Sequence, residues 1–161
     1  MRRNAFQLSR RHKLALYVVT AAIFLSGAVW TGLHWFARVE GEFGPAFHPA
    51  EPWLLKAHGA AAMAVLVVIG TLLPIHVKRG WLAGHNRLTG VGLLVFFGAL
   101  TLTGYGLYYL GEESVRAFTS LAHIWLGLAL PAILAWHVIH GHRLRKSGKL
   151  RRSISEAHET R

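Results

Sequence analysis

Residues 121–142 read LAHIWLGLALPAILAWHVIHGH. From Ala117 to His140 the chain has no Asp, Glu, Lys or Arg. A helix of roughly 20 apolar residues crosses about 30 Å of hydrocarbon. Yet this one carries His123 and His137, 14 positions apart. An ionisable ring is costly inside a membrane and usually has a task there. At 100° per residue that interval falls about 40° short of four full turns, so both rings leave one face of the helix. Their rise is roughly 21 Å, which sets them near opposite faces of one bilayer. Pro131, between them, predicts a kink.

Three more stretches are equally long and free of charge: Leu14 to Phe36, Ala57 to Ile75 and Leu88 to Leu110. Apolar residues make up 53% of the chain and charged ones 16%, a membrane composition. The expected fold is all-α, an integral membrane four-helix bundle. Residues 1–13 form a basic lead, 14–142 the bundle and 143–161 a basic tail. The first stretch exceeds a secretion-signal core and lacks an Ala-x-Ala site, so it reads as a retained anchor. Helix two is expected to end near Pro74. The connection from Ala37 to Pro52 is the longest and holds Gly41, Gly44, Pro45, Pro49 and Pro52, all breakers. Trp30, Trp35, Trp53 and Trp81 fall at expected headgroup levels. The glycines of the third stretch suit close helix contact.

The net charge is +11. Fifteen of the 18 basic residues lie in the N-terminus, the second loop (Lys78, Arg79, Arg87) and the tail, against two acids, Glu156 and Glu159. The other two loops hold Arg38, Lys56 and Arg116 against five acids. This is the positive-inside pattern and places both termini in the cytoplasm. It argues for a multi-pass membrane protein and against a nucleic-acid partner; the location expected is a bacterial inner (plasma) membrane. The absence of cysteine excludes thioether-linked haem, cysteine-held iron–sulfur clusters, zinc thiolates and disulfides.

With that topology, His58 on helix two and His123 on helix four share a depth near the outer face. Facing histidines on a bundle are how proteins hold haem iron from both sides. Gly59 and Gly127, close by, leave room for a porphyrin. The inner His137 has two candidate partners. His12 opens helix one within Ser9-Arg10-Arg11-His12-Lys13. His76 lies 18 residues after His58, about five full turns, so it faces the same way. Its rise of roughly 27 Å exceeds the His123–His137 rise by about 6 Å. Pairing His76 with His140 restores the depth but turns the ring some 100° away. Geometry leaves the choice open. His34, His48, His85, His142 and His158 read as interfacial anchors.

These segments resemble the four-helix di-haem cytochromes b: the membrane subunits of formate dehydrogenase and nickel–iron hydrogenase, and bacterial cytochrome b561. The resemblance spans most of residues 9–143. It rests on SRRHKLALYVVTAAIFLSG (9–27), LLKAHGAAAMAVLVVIG (54–70) and the stretch quoted first. It implies two haem b groups, an outer one held by His58 and His123 and an inner one by His12 and His137. In that family the third helix donates no ligand, and Leu88 to Leu110 contains no histidine. This chain departs from the pattern in having Lys13 after the first-helix histidine, and in Leu73-Pro74-Ile75-His76 closing helix two.

The function expected is electron transport across the bilayer between the quinone pool and a redox partner, a periplasmic cytochrome or enzyme subunit. An electron-transfer oxidoreductase subunit fits better than a stand-alone enzyme. The competing readings are a stand-alone quinol or superoxide oxidoreductase and a haem-free assembly or transport subunit. Lys56, Arg116, Arg79, Arg87 and Arg143 are candidates to neutralise haem propionates. Tyr105, Tyr108 and Tyr109 are candidates to line a quinone site, or belt residues facing lipid.

Overall fold

The structure, a computed structural model, describes residues 8–84 and 86–159, apart from the side chains of residues 145 and 149–159. His85, Arg2, Arg3 and Arg161, and the side chains of Arg145, Lys149, Arg151, Arg152, Glu156, His158 and Glu159, lie outside the described residues.

Helix α1 (Arg10–Phe36) leads into a two-stranded antiparallel hairpin, β1 (Val39–Gly41) and β2 (Gly44–Ala46). Helix α2 (Glu51–Leu72) continues through a π-helical turn (Leu73–Val77) into the short α3 (Lys78–Leu82). Helices α4 (Arg87–Tyr109) and α5 (Glu113–Glu159) complete the chain. Four of these helical units are long and apolar enough to cross a membrane: Arg10–Phe36, Glu51–Leu82, Arg87–Tyr109 and Glu113–Gly148.

The expected segments are present, with four differences. Helix α1 starts earlier than Leu14, because Ser9 caps it: its hydroxyl accepts the His12 N–H at 3.2 Å. The connection after α1 is not wholly irregular, since Gly44, at φ +109°, lets residues 39–46 fold back as the hairpin. Helix two does not stop at Pro74. Proline has no N–H for the Gly70 carbonyl and its ring crowds that group. The chain answers by widening one turn, with the Lys78 N–H bonding to the Leu73 carbonyl, and helix resumes. Helix α5 likewise runs unbroken through Pro131 and continues as helix along the basic tail.

The bundle is built as two antiparallel helical hairpins. Helix α1 packs along α2, and α4 packs along α5, whereas α2 and α5 have little direct backbone contact among the described residues. Among the described residues few side chains are buried, and the buried apolar ones are Val65, Leu72 and Leu130. The outward faces are apolar, with Leu88, Leu102, Trp125 and Trp136 among the exposed residues. A surface of that kind suits hydrocarbon rather than water.

Both turns at the hairpin end are fastened by polar contacts. Glu51, only 6% exposed, accepts a hydrogen bond from His34 Nδ1 at 2.9 Å, which ties the last turn of α1 to the first of α2. The His34 ring lies stacked between Trp30 and Phe47. The anchor expected at His34 therefore has a specific partner. At the start of α5, the Glu112 carboxylate accepts the Ser114 hydroxyl and the Ser114 and Val115 N–H groups.

Those bonds, led by the one from the Ser114 hydroxyl, hold the Glu112 carboxyl below its ordinary value. The cap therefore contributes above the unfolded carboxylate range and is lost as pH falls through the lowered value. Glu112→Ala is expected to speed amide exchange at Ser114 and Val115 at neutral pH. The difference from wild type should vanish in acid. Equal exchange at neutral pH would refute the cap.

Candidate functional site

Four half-buried histidines face one another between the two hairpins. His58, on α2, meets His123, on α5, with ring centroids 6.1 Å apart and planes crossed at 85°. At the other end of the bundle, His76 meets His137 with centroids at 6.4 Å and planes at 82°. The two pairs repeat one arrangement although His58–His76 spans 18 residues and His123–His137 spans 14. The π turn containing His76 is what distinguishes α2 from a continuous α-helix at that point. Mid-helix π turns often mark functional positions.

The other sequence-derived candidates fall elsewhere. The His12 Nδ1 engages the Ser9 hydroxyl of its own helical turn at 2.8 Å. His140 donates from Nδ1 to Asn86 Oδ1 at 2.7 Å. Neither is paired ring to ring with His137, as His76 is. Gly59 sits opposite the Tyr108 hydroxyl, and Gly127 faces open space. Arg87 is engaged with Trp81, by a hydrogen bond to its carbonyl and by stacking, and Lys56 lies over the Trp53 ring. Tyr105 and Tyr109 stack on each other on an exposed face, as belt residues would.

The His58, His123 and His137 rings each meet a hydroxyl on a neighbouring helix. On α1, Ser26 Oγ lies 3.0 Å from His58 Nδ1 and donates its own hydrogen to the Ala22 carbonyl at 2.8 Å. On α4, Thr103 Oγ1 lies 2.9 Å from His123 Nδ1 and donates to the Ala99 carbonyl at 2.7 Å. Also on α4, Thr89 Oγ1 lies 3.0 Å from His137 Nδ1 and donates to Asn86 Oδ1. A hydroxyl has one hydrogen. With it committed to another oxygen, each hydroxyl is placed to accept from Nδ1, the tautomer that leaves Nε2 bare; at His137 the Asn86 Nδ2 also lies 3.5 Å from the same Nδ1.

A glycine follows each of these hydroxyl residues. A Cβ at Gly27 would stand 2.9 Å from His58 Cε1, and one at Gly104 would stand 3.1 Å from His123 Cε1. Gly90 meets His137 Cε1 at an ordinary 3.8 Å. The glycines thus let the rings lie close against the helix backbone. In the sequence Gly90 and Gly104 stand out only as small surfaces for helix contact. A sharper signal was present: Thr89-Gly90 and Thr103-Gly104 are 14 apart, the same interval as His123–His137 on the antiparallel partner.

Asn86 organises the opposite end. It takes the left-handed conformation at φ +51°, which Asn tolerates better than most residues. Its Nδ2 donates to the His137 carbonyl at 3.2 Å, while its Oδ1 accepts from Thr89 and His140. One side chain thereby fixes the start of α4 against α5.

The site offers nitrogens in twos. Among the described residues no group of three or more His, Cys, Asp or Glu side chains could hold a metal ion. Two imidazoles alone suit a metal that arrives with its remaining positions filled by another ligand.

No protein-family model, curated protein or solved structure matches the chain.

The glycine contacts make a stability prediction. Gly27→Ala and Gly104→Ala force the ring or helix to shift, at about 1–3 kcal/mol each. Gly32→Ala, which enters open space, should be neutral or gain up to about 1 kcal/mol of helix propensity. Thermal unfolding midpoints in detergent rank the three. Equal midpoints would overturn the close approach of ring and helix.

Proposed function

We propose that the chain is a membrane cytochrome b that carries electrons across a bilayer, binding one haem b between His58 and His123 and a second between His76 and His137. The observation that carries this is the spacing of the two ring pairs. Two imidazoles that shared one metal through nitrogen bonds of about 2 Å, with roughly 1.1 Å from nitrogen to ring centre, would have their ring centres about 6.2 Å apart. The observed 6.1 and 6.4 Å agree.

Haem iron, when bound, supplies a one-electron redox couple without an open coordination position. The residues supply the rest. His58 and His76 project from one hairpin, His123 and His137 from the other, so each group would be gripped across the seam. With Nδ1 of His58, His123 and His137 facing a hydroxyl, Nε2 is the nitrogen each would offer a metal. The apolar helices exclude water and set the dielectric around the pairs. Charge asymmetry orients the bundle with the π turn, Lys78, Arg79 and the tail in the cytoplasm. The β-hairpin then faces the other side of a bacterial inner membrane. Quinone, which shares the hydrocarbon with these helices, is the proposed exchange partner, with a redox protein at the hairpin end as the second.

His76 replaces His12 in this assignment. The resemblance favoured His12, but it is the His76 ring that meets His137. In purified full-length protein, a pyridine haemochrome assay should count two b haems. His58→Ala and His123→Ala should each remove the same one, and His76→Ala and His137→Ala the other. His12→Ala should retain both. A haem lost with His12 and kept without His76 would return the inner site to the resemblance. Protein with no haem in any form would sink the cytochrome.

A further inference from the structure

We infer that Ser26, Thr103 and Thr89 are positioning residues for the histidine pairs: each hydroxyl accepts the Nδ1 proton of one imidazole and fixes both its tautomer and the plane of its ring. The redox consequence rests on the two-haem reading; the tautomer does not. Three independent placements repeat one unit. A hydroxyl residue and a glycine are adjacent in each, at Ser26-Gly27, Thr89-Gly90 and Thr103-Gly104. The hydroxyl meets Nδ1 of a histidine on the next helix at 2.9–3.0 Å, and the glycine lies beside Cε1 of the same ring. In each, the hydroxyl hydrogen is committed to another oxygen. Thr31-Gly32 shows that the dipeptide alone is not enough: its hydroxyl bonds back to the Gly27 carbonyl, and Gly32 faces open space.

The orientation has two effects. Holding the proton on Nδ1 leaves Nε2 as the only lone pair the ring can offer a metal. A hydrogen bond donated from Nδ1 also makes the ring a stronger electron donor. Stronger donation favours the oxidised metal and lowers its potential. The same bond holds each ring against rotation, and so maintains the crossed planes of 85° and 82°. Crossed axial rings leave two iron d orbitals close in energy, which spreads the g values of the oxidised low-spin state.

The test uses Thr103→Val, Ser26→Ala and Thr89→Val in the full-length protein in detergent, with Thr103→Ser as the conservative variant. Thr101→Val, on an exposed hydroxyl of the same helix, is the control. Redox titration should show one potential rising in each positional variant. It should be the haem lost in His123→Ala for Ser26 and Thr103, and the one lost in His137→Ala for Thr89. A tenfold change in the redox equilibrium, 59 mV for one electron, is about the size expected. The paramagnetic resonance spectrum of that haem should narrow in g spread, and Thr103→Ser should restore both readouts. Unchanged potentials and g values in haem-replete variants would overturn the inference. So would equal shifts in Thr101→Val. Should Thr103→Val lose its haem, nitrogen chemical shifts of 15N-histidine protein still decide the matter. Wild type must show Nδ1–H tautomers at His58, His123 and His137, and the other tautomer at these rings would overturn the inference. Wild type without haem would end the cytochrome reading separately, leaving the tautomer result standing.

Discussion

The two imidazole contacts across the α2–α5 seam are what the rest of this architecture is arranged around. Each hairpin is well packed within itself, but the two make little backbone contact along that seam. In lipid there is no hydrophobic drive to press helix against helix, because the tails are as apolar as leucine. The halves touch through α1 and α5, while along the α2–α5 seam it is side chains that meet. The His58–His123 and His76–His137 pairs are the groups placed to do so. The sparse buried core, three apolar residues among those described, follows from the same division.

Much of this fold was legible from charge-free runs, because a membrane span imposes length and composition together. The ends were less so. Helix α5 continues past His142 since Arg and Lys are good helix formers, and a charged face does not end a helix. The β-hairpin after α1 was hidden because glycine and proline signal a turn without saying whether strands flank it. Pro74 was the clearest misreading. It looked like a stop, yet one widened turn absorbs the missing N–H and the helix resumes.

The same turn explains what could and could not be read of the site. The shared depth of His58 and His123 came directly from topology. His76 did not, because arithmetic at 100° and 1.5 Å per residue presumes an uninterrupted α-helix, and it left an excess of about 6 Å against His137. A π turn changes both rotation and rise, and it falls on the residues between Leu73 and Val77. The supporting hydroxyls were also missed, since Ser and Thr in an apolar helix ordinarily satisfy themselves on the preceding turn. Ser26 and Thr103 do that as well. The matched 14-residue intervals on α4 and α5 are the signal in the sequence that could have picked out Thr89 and Thr103.

A carboxylate behind a metal-bound histidine is a common support, and it is absent behind these three rings, where each Nδ1 faces a hydroxyl. The position in the bundle accounts for this. An ionised acid at that depth would carry a desolvation cost of several kcal/mol, repaid only by a well-made pair. A serine or threonine costs little, because its own hydrogen already bonds to a nearby oxygen, and its oxygen still has a lone pair to offer. Among the described residues the deeply buried carboxylate, Glu51, sits instead at the first turn of α2, against His34. The chain thus keeps formal charge at the ends of its helices and orients its interior rings with neutral groups. Under the cytochrome reading, the supporting groups add polarisation and no net charge at either pair. The distinction between the two pairs then falls to the surrounding charges: bases at the π-turn end, acids at the hairpin end.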